Sequence, residues 1–425
     1  MVNGEYEGRV LGACSDCRHF WQEHRAGTVS TEELEAINAS LAPSAGHCMV
    51  MGSASTMAVC AEAMGMMLPG GAAYTAVDQR RLRLAEESGR CIVDLVHSGT
   101  SPSTIITLKS LRNAIKALAA VGGSTNAIIH LLAIAGRLGI PLTLAEFDAI
   151  SRETPLLANV RPSGTYQMQE FAQAGGVPVL LKELEPLLDT DCPTVTGATL
   201  GENLASVQRG AAYDDVINPR LTTQFRDGGL AVLWGTLAPR GAVLKARAAS
   251  PDLLHHRGRA IVFTSLDDLQ DRIDDPAVGV RPDDVLVLQN AGPVGAPGMP
   301  EAGLIPIPKY LLADGVRDMV RISDCRMSGT ASGTIVLHAA PEAAVGGPIG
   351  LVRSGDEIEI DYDRRRLDLH VVEGELARRR EAWRAPPGAY RRGYGWLYER
   401  HVLQADEGCD FDFLRQDPPA ASDQT

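Results

Sequence analysis

The chain has 425 residues, of which 45% are hydrophobic and 22% are charged, and its formal net charge at pH 7 is −13. This composition is typical of a globular protein, and the length favours two domains over one. The acidic balance argues against a nucleic-acid partner, because phosphate binding requires a basic surface.

The N-terminal residues, Met1 to Gly8, lack the apolar core of a signal peptide. The uncharged stretch at residues 117–136 contains glycines, polar residues and a histidine that would be costly in lipid, so we predict that it is buried in the fold. Eight irregularly spaced cysteines without an export signal indicate thiols rather than disulfides. We therefore expect a cytoplasmic protein with no membrane partner.

Residues 1 to about 40 predict a loop followed by a helix, with Ser30 or Thr31 as its N-cap and acidic residues in its first turn. Cys14 and Cys17, which lie in this loop, have the CxxC spacing. A metal site there is disfavoured, because neither a second cysteine pair nor a histidine pair follows at a suitable distance.

Cys48 lies in a loop of small residues just before a helix predicted from about Ser55 to Leu68. A thiol near a helix N-terminus is biased toward the thiolate, which is the form that binds iron. A single cysteine is by itself more typical of a small buried hydrophobic residue, and this is also our interpretation of Cys60 within the helix.

Residues 122–126, Gly-Gly-Ser-Thr-Asn, predict a glycine turn in front of an apolar helix. Ser124, Thr125 and Asn126 are residue types that can cap that helix. Residues 161–166, which include Ser163, predict a second turn.

The pattern changes near residue 230, where short β-branched runs separated by turns predict strands. Residues 357–361 and 366–370 alternate strictly between apolar and polar side chains, which predicts a hairpin. The sequence therefore predicts an α/β protein with a mostly helical domain at residues 1–234 and a strand-rich domain at residues 235–425.

Two loops of the second half hold the polar residues of greatest interest. A stiff loop rich in glycine and proline follows a predicted strand and ends on Glu301. A second loop carries the hydroxyl groups of Ser328, Thr330, Ser332 and Thr334. A hydroxyl at such a position becomes a nucleophile or a base if its pKa is lowered, and a polar turn that satisfies its own backbone is the alternative.

The Cys48 loop, the loop ending on Glu301 and the Ser328 loop together resemble the iron-sulfur dehydratase family that includes dihydroxy-acid, phosphogluconate and pentonate dehydratases. The resemblance extends from Asn3 to about Phe413. It implies an α/β fold with a β-barrel-like, swivelling C-terminal domain, and removal of water from a 2,3-dihydroxy acid to give a 2-keto-3-deoxy acid. It also implies a homodimer or a homotetramer.

The resemblance further implies Mg²⁺ and an iron-sulfur cluster, of the 2Fe-2S type in preference to 4Fe-4S. Cys48 would hold the cluster and Glu301 would bind Mg²⁺. Ser328, ionised beside Mg²⁺, would take the C2 proton, and Thr330 would bind the substrate carboxylate or position Ser328. The substrate site would be lined by Ser124, Thr125, Asn126 and Ser163.

Residues 299–303, Met-Pro-Glu-Ala-Gly, residues 305–309 and the tail segments at residues 392–395 and 401–408 resemble the pentonate branch, so we expect a small sugar acid such as L-arabinonate or D-xylonate as substrate. The dihydroxy-acid dehydratase of branched-chain amino acid biosynthesis is the alternative. The family's upstream segment, with two cluster cysteines, a carboxylated lysine and acidic Mg²⁺ ligands, has no counterpart before Cys48. The further alternatives are a truncated chain and an inactive chain that oligomerises with an intact paralogue.

Overall fold

The computed structural model describes residues 1–210, 214–223, 227–301 and 305–416. The helices are α1 (Ala13–Ala26), α2 (Thr31–Ser40), α3 (Ser53–Ala63), α4 (Gln79–Ser98), α5 (Pro102–Ile105), α6 (Leu108–Ala120), α7 (Asn126–Arg137), α8 (Leu144–Glu153), α9 (Met168–Gln173), α10 (Gly176–Leu184), α11 (Leu200–Ala205), α12 (Leu266–Arg272), α13 (Lys309–Ala313), α14 (Glu373–Ala382) and α15 (Gly393–His401). The strands are β1 (Gly4–Tyr6), β2 (Arg9–Leu11), β3 (Ala231–Leu233), β4 (Gly241–Leu244), β5 (His255–Phe263), β6 (Val285–Leu288), β7 (Arg321–Ser323), β8 (Ile335–Ala340), β9 (Glu357–Asp361) and β10 (Arg366–His370).

The chain forms two compact units that alternate along the sequence. The first comprises Met1–Trp21, Ser30–Ala127 and Glu146–Gly229, and the second comprises Gln22–Val29, Ile128–Ala145 and the described residues from Leu230 onward. The domain boundary expected between residues 234 and 235 stays a prediction.

The first unit is mostly helical, and α3, α6 and α10 pack together at its centre. Helix α2 begins as predicted, because the Ser30 hydroxyl accepts a hydrogen bond from the N–H of Glu33 at 3.1 Å. The loop expected before it is wrong over much of its length, since α1 occupies Ala13–Ala26. None of the helices in the described ranges is both long enough and apolar enough to cross a membrane.

The second unit is built on an eight-stranded mixed sheet in the order β10-β9-β5-β6-β7-β8-β4-β3. Strands β5, β6, β7 and β8 pair in parallel, and the remaining neighbours pair antiparallel. All four residues of β6 are buried, which explains why its sequence, Val-Leu-Val-Leu, is continuously apolar rather than alternating.

The hairpin of β9 and β10 is confirmed, with Arg366 opposite Asp361. Its alternation places Ile358 and Ile360 in the core and polar side chains on the other face. The main-chain N–H of Trp234, just after β3, donates to the carbonyl of Arg365 at 2.9 Å. The main-chain carbonyl of Trp234 accepts from the N–H of Leu367, also at 2.9 Å. These bonds join the two ends of the strand order into a barrel-like sheet, and the predicted α/β class is confirmed.

Candidate functional site

Glu301 and Ser328 lie on loops that follow neighbouring strands of the second unit. Strand β6 leads into the loop ending on Glu301, and β7 leads into the loop with Ser328. Because β6 and β7 pair in parallel, both loops leave the same edge of the sheet, where ligands bind in many α/β proteins. The backbone of Glu301 pairs with that of Arg326, whose Nε donates to the carbonyl of Met299 at 2.5 Å. The fold thus brings the two candidate residues onto adjacent backbone segments.

The Ser328 hydroxyl is hydrogen-bonded within its own loop. Its Oγ lies 2.9 Å from the Oγ1 of Thr330, and the N–H of Thr330 points to the same oxygen at 3.4 Å. The N–H of Ala331 donates to the carbonyl of Ser328 at 2.9 Å, which closes the turn. Thr330 is buried, whereas Ser328 is partly exposed. Thr330 can therefore donate to Ser328 while Ser328 remains accessible to a substrate.

Two buried carboxylates hold the glycine- and proline-rich loop from inside. Asp324 accepts the N–H groups of Ala291 at 3.0 Å and Ala343 at 2.9 Å, and burial raises the pKa of Asp324 to about 7. Glu342 accepts the N–H of Val294 at 2.9 Å, and burial raises its pKa as well. Backbone N–H groups that would otherwise be unpaired thus acquire acceptors.

An ion pair between a buried arginine and a largely buried aspartate anchors the Ser328 loop at both ends. Arg321, with 1% of its side chain exposed, donates to Asp318 at 2.7 Å. Asp318 also accepts from the N–H and hydroxyl of Thr334 and from the N–H of Ser250. Burial by itself would raise the pKa of Asp318, but Arg321 and these hydrogen bonds lower it overall. The strand before the loop and the strand after it are therefore fastened to one carboxylate.

Cys48 lies in the first unit, beside the thiol of Cys14. It borders a cavity of about 320 Å³ that is also lined by His47, Tyr74 and Arg81. The hydrogen bond from Cys14 outweighs burial and lowers the pKa of Cys48 to about 6, while the same bond raises the pKa of Cys14. Our sequence interpretation gave Cys14 no role in the Cys48 site, although the CxxC spacing was a signal for it.

We expect alkylation of Cys48 by iodoacetamide to be half-maximal near pH 6. Cys60 and Cys325 should stay unmodified in the folded protein, because burial raises the pKa of each to about 12. Cys14→Ala removes the hydrogen-bond donor and should shift the midpoint of Cys48 upward, whereas Cys17→Ala on the same helix should leave it unchanged. Mass spectrometry of the alkylated peptides over a pH series measures each midpoint, and equal midpoints in the two variants would contradict the assignment.

The polar residues that follow the glycine turn are buried within the first unit. The Oγ of Ser53, at the start of α3, lies 2.9 Å from the Oγ of Ser124 and accepts from the Nδ2 of Asn126 at 2.9 Å. Thr125 is 4% exposed. The Oγ of Ser163 donates to a main-chain carbonyl of the glycine turn at 3.3 Å and borders a cavity of about 220 Å³. These contacts brace the turn against α3, and the substrate-binding role of these residues stays a prediction.

The described residues do not by themselves fit an iron-sulfur cluster or Mg²⁺. Among them, no three histidine, cysteine or acidic side chains converge where they could hold a metal ion. Cys48 has one thiol neighbour, whereas a protein-bound cluster commonly takes four ligands. Glu301 supplies one carboxylate, whereas Mg²⁺ is octahedrally coordinated by oxygen. Within the described residues, the set of ligands for each group is therefore incomplete.

The candidate residues divide between the two units. Cys48 and the polar residues near the glycine turn belong to the first unit, and Glu301, Ser328 and Thr330 belong to the second. Ala302 and Gly303, which contribute to the pentonate-like motif, lie outside the described residues.

Comparison with known proteins identifies the family. The model of the dihydroxy-acid/6-phosphogluconate dehydratase N-terminal domain matches residues 1–203, and that of the C-terminal domain matches residues 215–409. The chain is 48% identical over 427 residues to an L-arabonate dehydratase of Azospirillum brasilense, and 46% identical over 420 residues to a 6-deoxy-6-sulfo-D-gluconate dehydratase of Pseudomonas putida. These alignments cover 97% and 98% of this chain and 72% of each relative.

A dihydroxy-acid dehydratase of Ignicoccus hospitalis is 43% identical over 387 residues, with 89% of this chain and 68% of that protein aligned. The resemblance inferred from the three loops, including the likeness to the pentonate branch, is thus confirmed. The chain belongs to the dihydroxy-acid/6-phosphogluconate dehydratase family and is, by class, a carbon–oxygen hydro-lyase.

Proposed function

We propose that the protein removes water from a 2,3-dihydroxy sugar acid, a pentonate such as L-arabinonate or D-xylonate, to give the 2-keto-3-deoxy acid. The observation that carries the proposal is the backbone pairing of Glu301 with Arg326, two residues before Ser328. It joins a carboxylate loop to a hydroxyl loop at the carboxyl edge of the parallel strands. Similarity to two dehydratases named for sugar acids supports the substrate class.

The reaction breaks the C2–H and C3–O bonds. A base takes the C2 proton, the C3 hydroxyl leaves, and the resulting enol tautomerises to the keto acid. We assign the base to Ser328. A free serine hydroxyl is not basic enough at neutral pH. The Thr330 N–H points to the Ser328 Oγ, and the Thr330 hydroxyl can donate to it, and both contacts favour the ionised form of Ser328. Binding of the substrate carboxylate is the alternative role of Thr330.

An iron-sulfur cluster and Mg²⁺ are part of the proposal on the strength of family membership. A cluster would supply a Lewis acid for the departing hydroxyl, and Mg²⁺ would favour removal of the C2 proton. Cys48 and Glu301 are the residues that we propose as their ligands in this chain, each within an incomplete set. A cytoplasmic homodimer or homotetramer, divided near residue 235, completes the proposal.

The branched-chain pathway substrate is the second candidate, favoured by the 43% identity to a dihydroxy-acid dehydratase. It is the weaker one, because identity to the sugar-acid enzymes is higher and extends over more of the chain. A sugar acid also offers several hydroxyl groups to a polar site, whereas the branched-chain acid offers an apolar end.

The two candidates are separated by an assay of the anaerobically purified protein, supplied with Mg²⁺, on L-arabinonate, D-xylonate and 2,3-dihydroxyisovalerate. We expect kcat/KM for one of the pentonates to exceed that for 2,3-dihydroxyisovalerate by about 100-fold or more, because a site built to bind hydroxyl groups discriminates strongly against an analogue that lacks them. Formation of the 2-keto acid, followed as its semicarbazone, measures the rates. The reverse order would favour the branched-chain substrate, and no turnover of any acid by the folded protein would contradict the proposed function.

A further inference from the structure

Lys245 is a buried lysine that the sequence did not single out. It directly follows β4, is 7% exposed, and donates from its Nζ to the main-chain carbonyl of Gly329 at 3.0 Å. Lysine is almost never fully buried unless its ammonium group is paired, because leaving water costs a charged group several kcal/mol. Burial accordingly lowers the pKa of Lys245 to about 7. Its acceptor lies between Ser328 and Thr330.

The hydrogen bond to the Gly329 carbonyl also affects the next N–H along the chain, because a peptide group is planar. The carbonyl of Gly329 and the N–H of Thr330 belong to one trans peptide and point in opposite directions. When Lys245 holds the carbonyl on one side, the N–H is directed to the other side, toward the Ser328 Oγ. One side-chain contact thus sets the orientation of a donor that faces the proposed base.

The residues after Lys245 fasten the same loop at a second point. The N–H of Gly333 donates to the carbonyl of Ala248 at 2.6 Å. The segment 245–248 therefore holds the loop at Gly329 by a side chain and at Gly333 by the backbone. The backbone contact at Gly333 does not involve the Gly329–Thr330 peptide, whereas the Lys245 side chain binds its carbonyl directly.

We propose that Lys245 is a positioning residue for the dehydration, which orients the Gly329–Thr330 peptide so that its N–H faces the Ser328 oxygen. The assignment of a catalytic effect rests on the proposed function of Ser328. The orientation of the peptide itself does not, since it follows from the contacts of the Lys245 side chain.

Three variants test the proposal. Lys245→Met keeps the length and apolar character of the side chain but removes the donor, and Lys245→Gln keeps an N–H donor without the charge. Lys309→Met, at an exposed lysine of the same unit, is the matched control. We expect Lys245→Met to lower kcat about 100-fold, the scale of a misplaced catalytic group, with KM within about twofold of wild type. Lys245→Gln should recover at least about tenfold of that loss, and Lys309→Met should match wild type.

Hydrogen exchange of the Thr330 amide, followed by mass spectrometry of the loop peptide, gives a readout that does not depend on turnover. Exchange should be faster in Lys245→Met than in wild type and close to wild type in Lys245→Gln. If wild type turns over none of the acids, the proposed function fails while the exchange data still decide the role of Lys245. A folded Lys245→Met with wild-type kcat, or with unchanged exchange, overturns the positioning role. If Lys245→Met does not fold, a Lys245→Gln variant with wild-type exchange supports it and one with fast exchange overturns it.

Discussion

Replacing Ser328 by alanine is expected to lower the rate of dehydration by about 10² to 10⁴, the range that a positioned proton-transfer group contributes. The substitution removes the Oγ that Thr330 contacts and leaves the backbone turn intact, since that turn is closed by main-chain atoms. The effect should therefore appear in kcat, while the free energy of unfolding changes by less than about 1 kcal/mol.

Ser332→Ala is the matched control for this prediction. Ser332 lies in the same loop, carries the same hydroxyl group and is exposed. Steady-state kinetics on the preferred acid, together with urea unfolding of both variants, separate chemistry from stability. Equal activity of the two variants would rule out Ser328 as the base. A large loss of stability in Ser328→Ala would instead assign the hydroxyl to the architecture of the loop.

Asp318→Ala is expected to lower the free energy of unfolding by about 3–5 kcal/mol, because it leaves the Arg321 guanidinium buried without its carboxylate. The N–H of Thr334 loses its acceptor in the same step, and the N–H of Ser250 loses one of its two acceptors. Urea unfolding measures the loss. Asp314→Ala, at an exposed carboxylate nearby, should change stability by less than about 0.5 kcal/mol.

The double variant Asp318→Ala/Arg321→Met separates the charge from the hydrogen bonds. It removes the unpaired guanidinium and should recover part of the free energy of unfolding lost in Asp318→Ala, since apolar replacement of a buried pair is often tolerated. The pKa of Asp318 is lowered in the folded state, so its stabilising contribution is complete above about pH 4 and is lost as pH falls further. The difference between wild type and Asp318→Ala should therefore shrink in acid. A constant difference between pH 3 and pH 7 would show that the ionised pair is not its source.

Local sequence patterns were sufficient to predict many of the strands and loops of the second unit. The β9–β10 hairpin could be predicted because strict alternation matches a sheet with one buried face, and β6 because a short apolar run matches a strand buried on both faces. Glu301 and Ser328 could be proposed because glycine, proline and hydroxyl residues mark irregular loops, and the motifs carried the family resemblance.

Contacts between residues that are far apart in the sequence could not be predicted from local patterns. The thiols of Cys14 and Cys48 are separated in the sequence by one helix and part of a second, and the CxxC spacing marks Cys14 without indicating which residue it contacts. In the sequence, Lys245 is an ordinary charged residue after a strand. Its burial depends on the Ser328 loop, which packs against it in the fold. Such pairs depend on tertiary packing, which periodicity and composition do not encode.

The joining of β3 to β10 through Trp234 also limits how copies of this chain can associate. An open sheet presents a row of unpaired N–H and C=O groups on which another polypeptide can add a strand. Here Trp234, the residue after β3, bonds to the first residues of the β10 edge, so part of that template is already paired within the unit. The bridged stretch is therefore closed to strand addition by another copy, which reduces the length of edge open to edge-to-edge aggregation.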